Sequence, residues 1–250
     1  ENWTYLNRLQ DKQFGTVLEC PDEFCIDGQH ILIASPIGVL NGTDYPGNQS
    51  TMQKLSFDAE AGSMALESEA QFLDYGMDLY APQSCIDEAG RRCVIAWVRM
   101  PIPQSPDDNE AADGRPWSGM MSLPRVVTLR GGEIYTSVHP NVREYFAENS
   151  CEESTEKYIR WTKDGRSRTV LTLREGQSVE LAGVMIELNG GCVCTDRTKR
   201  VPQGVDVHVK CRTPRVGDVC ELEVYEEKNL IEIFVNDGQY VISNVLYPCR

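Results

Sequence analysis

Two carboxylates stand three residues apart in the segment Glu-Cys-Pro-Asp, where Glu19 and Asp22 flank a cysteine and a proline. Proline cannot continue a strand ladder, so the segment is expected where a strand ends. A glutamate at that position can face a central cavity, and burial there disfavours its charged form, as a general acid at neutral pH requires. Taken alone, the segment fits an exposed turn with two solvated acids better, because buried acids are uncommon.

Acids and aromatic rings are combined again between residues 74 and 84, which include Asp74, Tyr75 and Tyr80. This mixture is typical of a sugar-binding site, in which carboxylates accept hydrogen bonds from hydroxyl groups and rings cover apolar faces. It also fits a structural turn with tyrosines in a core. Trp117 follows a polar stretch at 101–116, predicted to be a surface loop, and its ring fits either a pocket rim or, more commonly, an interface between elements.

Short apolar runs interrupted by turn residues predict an all-β protein. Three units, at 26–34, 85–98 and 126–135, each read as a strand, a polar turn and a buried strand. Because small sheets of this kind must stack on neighbours to bury both faces, the repeated unit predicts blades of a β-propeller.

The character of the sequence changes after about Phe146, where residues 147–154 form a polar bridge without apolar periodicity. We predict a short connecting helix at 142–146 and a domain boundary that separates residues 1–147 from 148–250. Six short strands are expected beyond it, at 178–181, 184–188, 205–211, 220–225, 231–235 and 240–242. Many short strands of this kind predict a β-sandwich.

Composition excludes several classes of function. A net charge of −14 with scattered basic residues argues against nucleic-acid binding, and the longest apolar runs are too short to span a membrane. Ten cysteines occur without a Cys-x-x-Cys pair, so neither a metal nor another cofactor is expected. Their even number permits disulfides, while their irregular spacing fits a reduced protein equally well, so the compartment stays open with the cytoplasm favoured.

Four segments in order resemble glycoside hydrolase family 32, the group of invertases, inulinases and sucrose-6-phosphate hydrolases. They are Glu-Cys-Pro-Asp at 19–22, Asp-Tyr-Gly at 74–76, Ser-Leu-Pro-Arg at 122–125, and the strand and turn at 231–238. Because they extend over nearly the whole chain, together they are far more specific than any one of them.

The resemblance implies a five-bladed propeller followed by a β-sandwich, and a retaining hydrolysis of terminal β-fructosyl bonds by two carboxylates. Glu19 would be the acid/base, with Asp22 orienting it or supporting the turn. Asp74 would hold the leaving sugar and influence the proton of Glu19, and Trp117 would form a wall of the site. Tyr75 and Tyr80 would be further substrate contacts.

The chain departs from the family pattern in two places. The segments resembling Asn-Asp-Pro-Asn, which carries the nucleophile, and Arg-Asp-Pro, which carries a second acid, do not occur in it. We therefore expect the carboxy-terminal part of a fructosidase, inactive by itself, whose parent acts on a fructoside such as sucrose, sucrose phosphate or a fructan. The alternatives are a non-catalytic carbohydrate-binding module and a propeller completed by a second polypeptide. A homo-oligomer is left open.

Overall fold

The structure is a computed structural model that describes residues 2, 4–39, 48–103, 117–148, 150–205 and 207–247. Within these residues, twenty strands form four antiparallel sheets, and one α-helix joins the second sheet to the third. The all-β prediction is confirmed. Most of the loop predicted at 101–116 lies outside the described residues. No described helix is long and apolar enough to cross a membrane.

The first sheet begins with the hairpin predicted at 26–34. Its turn is Asp27-Gly28, and both residues have positive φ (51° and 81°), as a two-residue hairpin turn requires. The strands run in the order β1-β2-β3-β4, and a short fifth strand pairs with β3. Their bounds are β1 (Val17–Ile26), β2 (Gln29–Ile37), β3 (Thr51–Asp58), β4 (Ser63–Leu66) and β5 (Gln71–Phe72).

The second sheet contains the other two predicted hairpins and follows the order β6-β7-β9-β10, with β8 paired to β7. Its strands are β6 (Leu79–Ile86), β7 (Arg92–Val98), β8 (Met120–Met121), β9 (Arg125–Arg130) and β10 (Glu133–Val138). One apolar cluster contains residues of both sheets, among them Ile31, Ile33, Val94 and Val127. The two sheets therefore stack face to face as blades of a β-propeller.

The predicted connector is the helix α1 (Pro140–Ala147), which begins with proline in its first turn. Ten further strands follow it: β11 (Cys151–Ser154), β12 (Tyr158–Lys163), β13 (Arg166–Arg174), β14 (Ser178–Leu181), β15 (Val184–Asn189), β16 (Cys192–Asp196), β17 (Lys210–Arg215), β18 (Val219–Glu226), β19 (Leu230–Val235) and β20 (Tyr240–Val245). The third sheet has the order β11-β12-β13-β18-β19-β20, and the fourth β14-β15-β16-β17. One apolar cluster contains residues of both sheets.

Five of the six strands expected after residue 148 are confirmed, and the sixth is displaced. The strand expected at 205–211 begins only at Lys210. The polar bridge at 147–154 ends in a strand that was not predicted, the exposed edge strand β11 (Cys151–Ser154). Strands β12 and β13 were not predicted, since buried serine and threonine at Ser167 and Thr169 hide the alternation of β13.

A buried charge cluster joins the second sheet to the third. One nitrogen of Arg125, Nη2, donates to Asp74 Oδ2 (2.7 Å), to Glu232 Oε2 (2.7 Å) and to Ser243 Oγ (2.8 Å). The side chains of Arg125, Asp74 and Glu232 are each 1% exposed. Burial opposes the charge of the guanidinium, but the two carboxylates outweigh that effect and raise the pKa of Arg125. Loss of any one of these three side chains would therefore leave a buried charge without its partner.

A second buried pair connects the start of β6 to the end of β16. Arg197 Nη2 donates to Asp78 Oδ1 (3.0 Å), and Arg197 Nη1 donates to Asp78 Oδ2. The backbone N–H of Val245 also donates to Asp78 Oδ2 (2.9 Å). Such bidentate pairing fixes orientation as well as distance. It therefore holds the start of β6 in a fixed position relative to the end of β16.

Replacing Arg125 with methionine should lower the free energy of unfolding by about 3–5 kcal/mol, because two buried carboxylates lose their cation. The control is Lys199→Met, which removes an ion pair to Glu180 in which the lysine side chain is 69% exposed, and which should cost about 0–1 kcal/mol. Urea unfolding followed by fluorescence measures both variants. Equal losses for the two variants would contradict the importance of the buried cluster.

Candidate active site

Glu19 lies at a β-bulge in β1. Glu19 pairs with Ser35 and Asp22 pairs with Ile33, so two residues of β1 stand opposite one residue of β2. Cys20 has a positive φ of 48°, and Pro21 occupies the bulge, where its missing N–H costs no ladder hydrogen bond. The expectation that a strand ends at this segment is wrong, because β1 continues through it and the proline lies in a bulge inside the longer strand.

Strand β6 carries a second bulge of the same kind. Tyr80 pairs with Trp97 and Gln83 with Ile95, leaving Ala81 and Pro82 opposite one residue of β7. Ala81 has a positive φ of 50°, like its counterpart Cys20. Sequence reasoning missed this bulge, although a small residue followed by proline occurs in both strands.

The two bulges are hydrogen-bonded to each other. The backbone N–H of Ser84 donates to Asp22 Oδ2 (2.7 Å), and that of Ala81 donates to Ser35 Oγ (3.1 Å). Asp22 is therefore engaged in holding β1 and β6 together, as the expected supporting residue would be.

This arrangement brings Tyr80 to Glu19. The Tyr80 hydroxyl donates to Glu19 Oε2 at 2.6 Å. Burial raises the pKa of Tyr80, and the neighbouring carboxylate of Glu19 raises it further, so the phenol keeps its proton and remains a donor. Within the part of the chain that the structure describes, Glu19 is exposed. The expectation that its side chain is buried is therefore wrong there.

Arg99 supports Tyr80 and was not identified from the sequence. Its guanidinium carbon lies 4.8 Å from the centre of the Tyr80 ring, within the range of a cation–π contact. Its Nη2 donates to the carbonyl oxygens of Met77 (2.7 Å) and Asn48 (3.1 Å), and its Nε donates to that of Asp78 (3.3 Å). Because its hydrogen-bond partners here are backbone carbonyls, no pattern of side chains in the sequence could indicate this contact.

Asp74 makes its hydrogen bonds with the protein itself. Its Oδ1 accepts from the backbone N–H groups of Gly76 and Ser243, and its Oδ2 accepts from Arg125 and from the Ser243 hydroxyl. A Cβ on Gly76 would lie 1.8 Å from the Ser243 oxygen, so the glycine permits close approach of β20. The Asp-Tyr-Gly segment therefore docks the third sheet. Asp74 is buried and accepts four hydrogen bonds from the protein, which argues against its predicted role as a sugar ligand beside Glu19.

Tyr75 and Trp117 also have structural surroundings. Tyr75 is 7% exposed and makes edge-to-face contacts with Phe72 and Tyr240, which argues against its predicted role as a substrate contact. Trp117 is partly buried against an apolar cluster that includes Val98 and Leu230. This packing supports the structural interpretation of Trp117, at an interface between the second and third sheets.

A cavity of about 670 Å³ lies between the second sheet, α1 and the third sheet. Asp87, Cys93 and His139 line it, and their ligand atoms lie within 4.8 Å of one another, close enough to share a metal ion. The hydrogen bonds oppose that use. His139 Nδ1 accepts from the backbone N–H of Asn141 (3.2 Å), which places the ring proton on Nε2, facing Asp87 Oδ2 (3.1 Å). The expectation of no metal stays a prediction.

The comparisons with known proteins address the family directly. The sequence profile described as the glycosyl hydrolases family 32 N-terminal domain matches residues 1–140. The chain belongs to glycosyl hydrolase family 32. Relatives with a similar sequence include the sucrose-6-phosphate hydrolases of Vibrio alginolyticus and Bacillus subtilis. Each is 28% identical to the chain, over 98% and 97% of it and 51% of the relative.

Solved family 32 structures share the fold. The sucrose-6-phosphate hydrolase of Lactobacillus gasseri superposes with a TM-score of 0.75 at 21% identity, over 97% of this chain and 52% of that one. A Bombyx mori β-fructofuranosidase variant in complex with sucrose gives a TM-score of 0.68 at 21% identity, over 98% and 53%. The chain thus spans about half the length of the relatives it matches.

Asp22→Ala should destabilise the protein by about 1–3 kcal/mol, because the Ser84 N–H at the bulge loses its acceptor. Asp22→Asn keeps a side-chain oxygen in the same place and should lose less than half as much. Urea unfolding of the two variants beside the wild type measures the difference. Equal destabilisation would show that the acceptor at residue 22 does not hold the bulges together.

Asp87 should make the free energy of unfolding depend on pH in the acidic range. Burial acts against its charge, but hydrogen bonds from Arg91 and His139 outweigh it and hold the pKa of Asp87 below its ordinary value of 3.8. The ionised carboxylate therefore stabilises the fold above that value, and the contribution is lost progressively as pH falls below about 4. The stability difference between wild type and Asp87→Asn should shrink over this range in urea titrations. Asp218→Asn, on an exposed residue, is the control.

Proposed function

We propose that the protein containing this chain hydrolyses terminal β-fructofuranosyl bonds with retention of configuration, and that Glu19 is its acid/base. The observation that carries this proposal is the 2.6 Å hydrogen bond from Tyr80 to Glu19, built on two bulges that are tied together through Asp22. A carboxyl group at an exposed bulge, held at one oxygen by a fixed donor, is suited to exchanging protons with a bound sugar through the other.

In the proposed mechanism Glu19 first protonates the leaving oxygen while a carboxylate from outside this chain attacks the fructosyl carbon. The ionised Glu19 then takes a proton from water, which opens the covalent intermediate. Tyr80 donates to Oε2 throughout, so Oε1 remains the oxygen that transfers the proton. Arg99 fixes the ring of Tyr80 and thereby the direction of its hydroxyl group.

We also propose that the first two sheets are the later blades of a five-bladed propeller, and that the third and fourth sheets are a β-sandwich. The apolar cluster shared by the latter two supports facing sheets. The boundary between residues 147 and 148 is supported by the position of α1, which ends at Ala147. The buried bridges at Arg125 and Arg197 imply that these two units form one rigid body.

A fructoside such as sucrose is the substrate class we propose, since relatives of the chain are sucrose-6-phosphate hydrolases and a β-fructofuranosidase of the same fold was solved with sucrose. Among the residues first considered for substrate contact, Tyr80 is the one that contacts Glu19. A cytoplasmic location and a homo-oligomer stay predictions.

Glu19→Gln in the full-length protein should lower kcat for sucrose about 10²- to 10⁴-fold, because the amide cannot protonate the leaving oxygen. The control is Glu23→Gln, four residues further along β1, where the carboxylate pairs with His30. That variant should retain activity within a few-fold. Steady-state release of reducing sugar measures both.

Near-normal turnover by Glu19→Gln would remove Glu19 from the acid/base role. If the wild type binds sucrose in calorimetry without hydrolysing any fructoside, the protein is the non-catalytic carbohydrate-binding module instead.

A further inference from the structure

Cys85 and Cys93 stand directly opposite each other in the hairpin of β6 and β7. Residues that face each other across an antiparallel pair project from the same side of the sheet. The backbone N–H of Asp87 donates to the carbonyl oxygen of Arg91 (3.0 Å), so the pair two residues along, Cys85 and Cys93, also occupies a hydrogen-bonded position. Cα atoms at such positions are about 5.5 Å apart, within the range of disulfides.

This register is specific to these two residues. In every other strand pairing among the described residues, a cysteine faces a different residue type, as Cys25 faces His30 and Cys151 faces Thr162. Cys192 and Cys194 lie along one strand, β16, rather than across two. Among the described strand pairings, the β6–β7 hairpin alone therefore places two cysteines directly opposite each other.

The two thiols differ in access. Cys85 is exposed, whereas Cys93 is 8% exposed and lies in the wall of the cavity between the second and third sheets. The Cys93 thiol donates to the carbonyl oxygen of Arg91 (3.7 Å). Burial, with a smaller contribution from Asp87, raises the pKa of Cys93, so this thiol is protonated at neutral pH. A reagent in solution therefore meets Cys85 first.

We propose that Cys85 and Cys93 are a reversible thiol–disulfide pair, with Cys85 as the attacking thiol, Cys93 as the resolving thiol and a low-molecular-weight disulfide as the oxidant. Cys85 attacks one sulfur of the oxidant, and a mixed disulfide forms as the first small thiol leaves. Cys93 then attacks the Cys85 sulfur and displaces the second small thiol. Two protein thiols are oxidised, one small disulfide is reduced, and the two protons leave on the two small thiols.

The disulfide would close a loop around Asp87, the turn residue that contacts Arg91 and His139. Oxidation thus fastens the tip of the hairpin next to the start of α1, and it consumes the S–H group that donates to Arg91. The cross-link would therefore lie beside the cavity between the second and third sheets, where Cys93 is part of the wall.

Oxidised glutathione added to the full-length protein tests the proposal by peptide mapping without reduction. The wild type should yield the peptides of Cys85 and Cys93 joined, with a mass about 2 Da below that of the reduced pair. Cys93→Ala should stop at a stable glutathione adduct on Cys85. Cys85→Ala should leave Cys93 unmodified. Cys25→Ala, which removes another exposed thiol, should leave the cross-link unchanged.

A wild type that accumulates glutathione on Cys85 beside a free Cys93 would overturn the proposal, as would a Cys85 that does not react. The two single variants distinguish these outcomes from misfolding, because the exposed Cys85 can be replaced without disturbing the core, and far-ultraviolet circular dichroism verifies each fold. Added dithiothreitol should restore two thiols to the cross-linked wild type.

Discussion

The structure depends on one guanidinium held between two buried carboxylates. Arg125 extends from the second sheet, Asp74 precedes β6, and Glu232 lies in β19 of the third sheet. Two negative charges facing one positive charge would be costly in a protein interior, so the remaining lone pairs must be filled. Backbone N–H groups and the Ser243 hydroxyl fill them. The hydrogen bonds and ion pairs that join the blades to the third sheet consequently depend on one another, so the loss of one weakens the rest.

That constraint decides what the Asp-Tyr-Gly segment does. Its carboxylate, its ring and its glycine all face the third sheet, and the residue that lacks a Cβ is the one against which β20 packs. Because the Asp-Tyr-Gly segment packs against the third sheet, the candidate site is formed by the residues that follow it. Strand β6 begins at Leu79 and reaches its bulge immediately after Tyr80. The rigid seam between the sheets thus anchors the strand that supplies the partner of Glu19.

The two bulges show how a small site can be built from backbone geometry. Each contains a residue with positive φ followed by proline, and each displaces a side chain out of the regular alternation of its strand. Asp22 and Ser35 connect them with hydrogen bonds to the backbone of β6. The distance between Glu19 and Tyr80 is therefore determined by main-chain contacts, which are less adaptable than contacts between two exposed side chains.

Local sequence determined much of the architecture. Apolar runs bounded by Asp27-Gly28 and Gly131-Gly132 specified hairpins, because those turns require positive φ. Pro21 marked a break in the ladder, which the structure accommodates as a bulge within β1. Four short segments specified the family. Strand β13 escaped prediction because part of its buried face is polar. The partners of the carboxylates were decided by tertiary structure alone. Asp74 meets Ser243 across 169 residues, whereas Glu19 meets Tyr80 across 61. Whether an aspartate faces a sugar or a guanidinium depends on which distant strand packs against it. The residues beside it in the chain do not predict that contact.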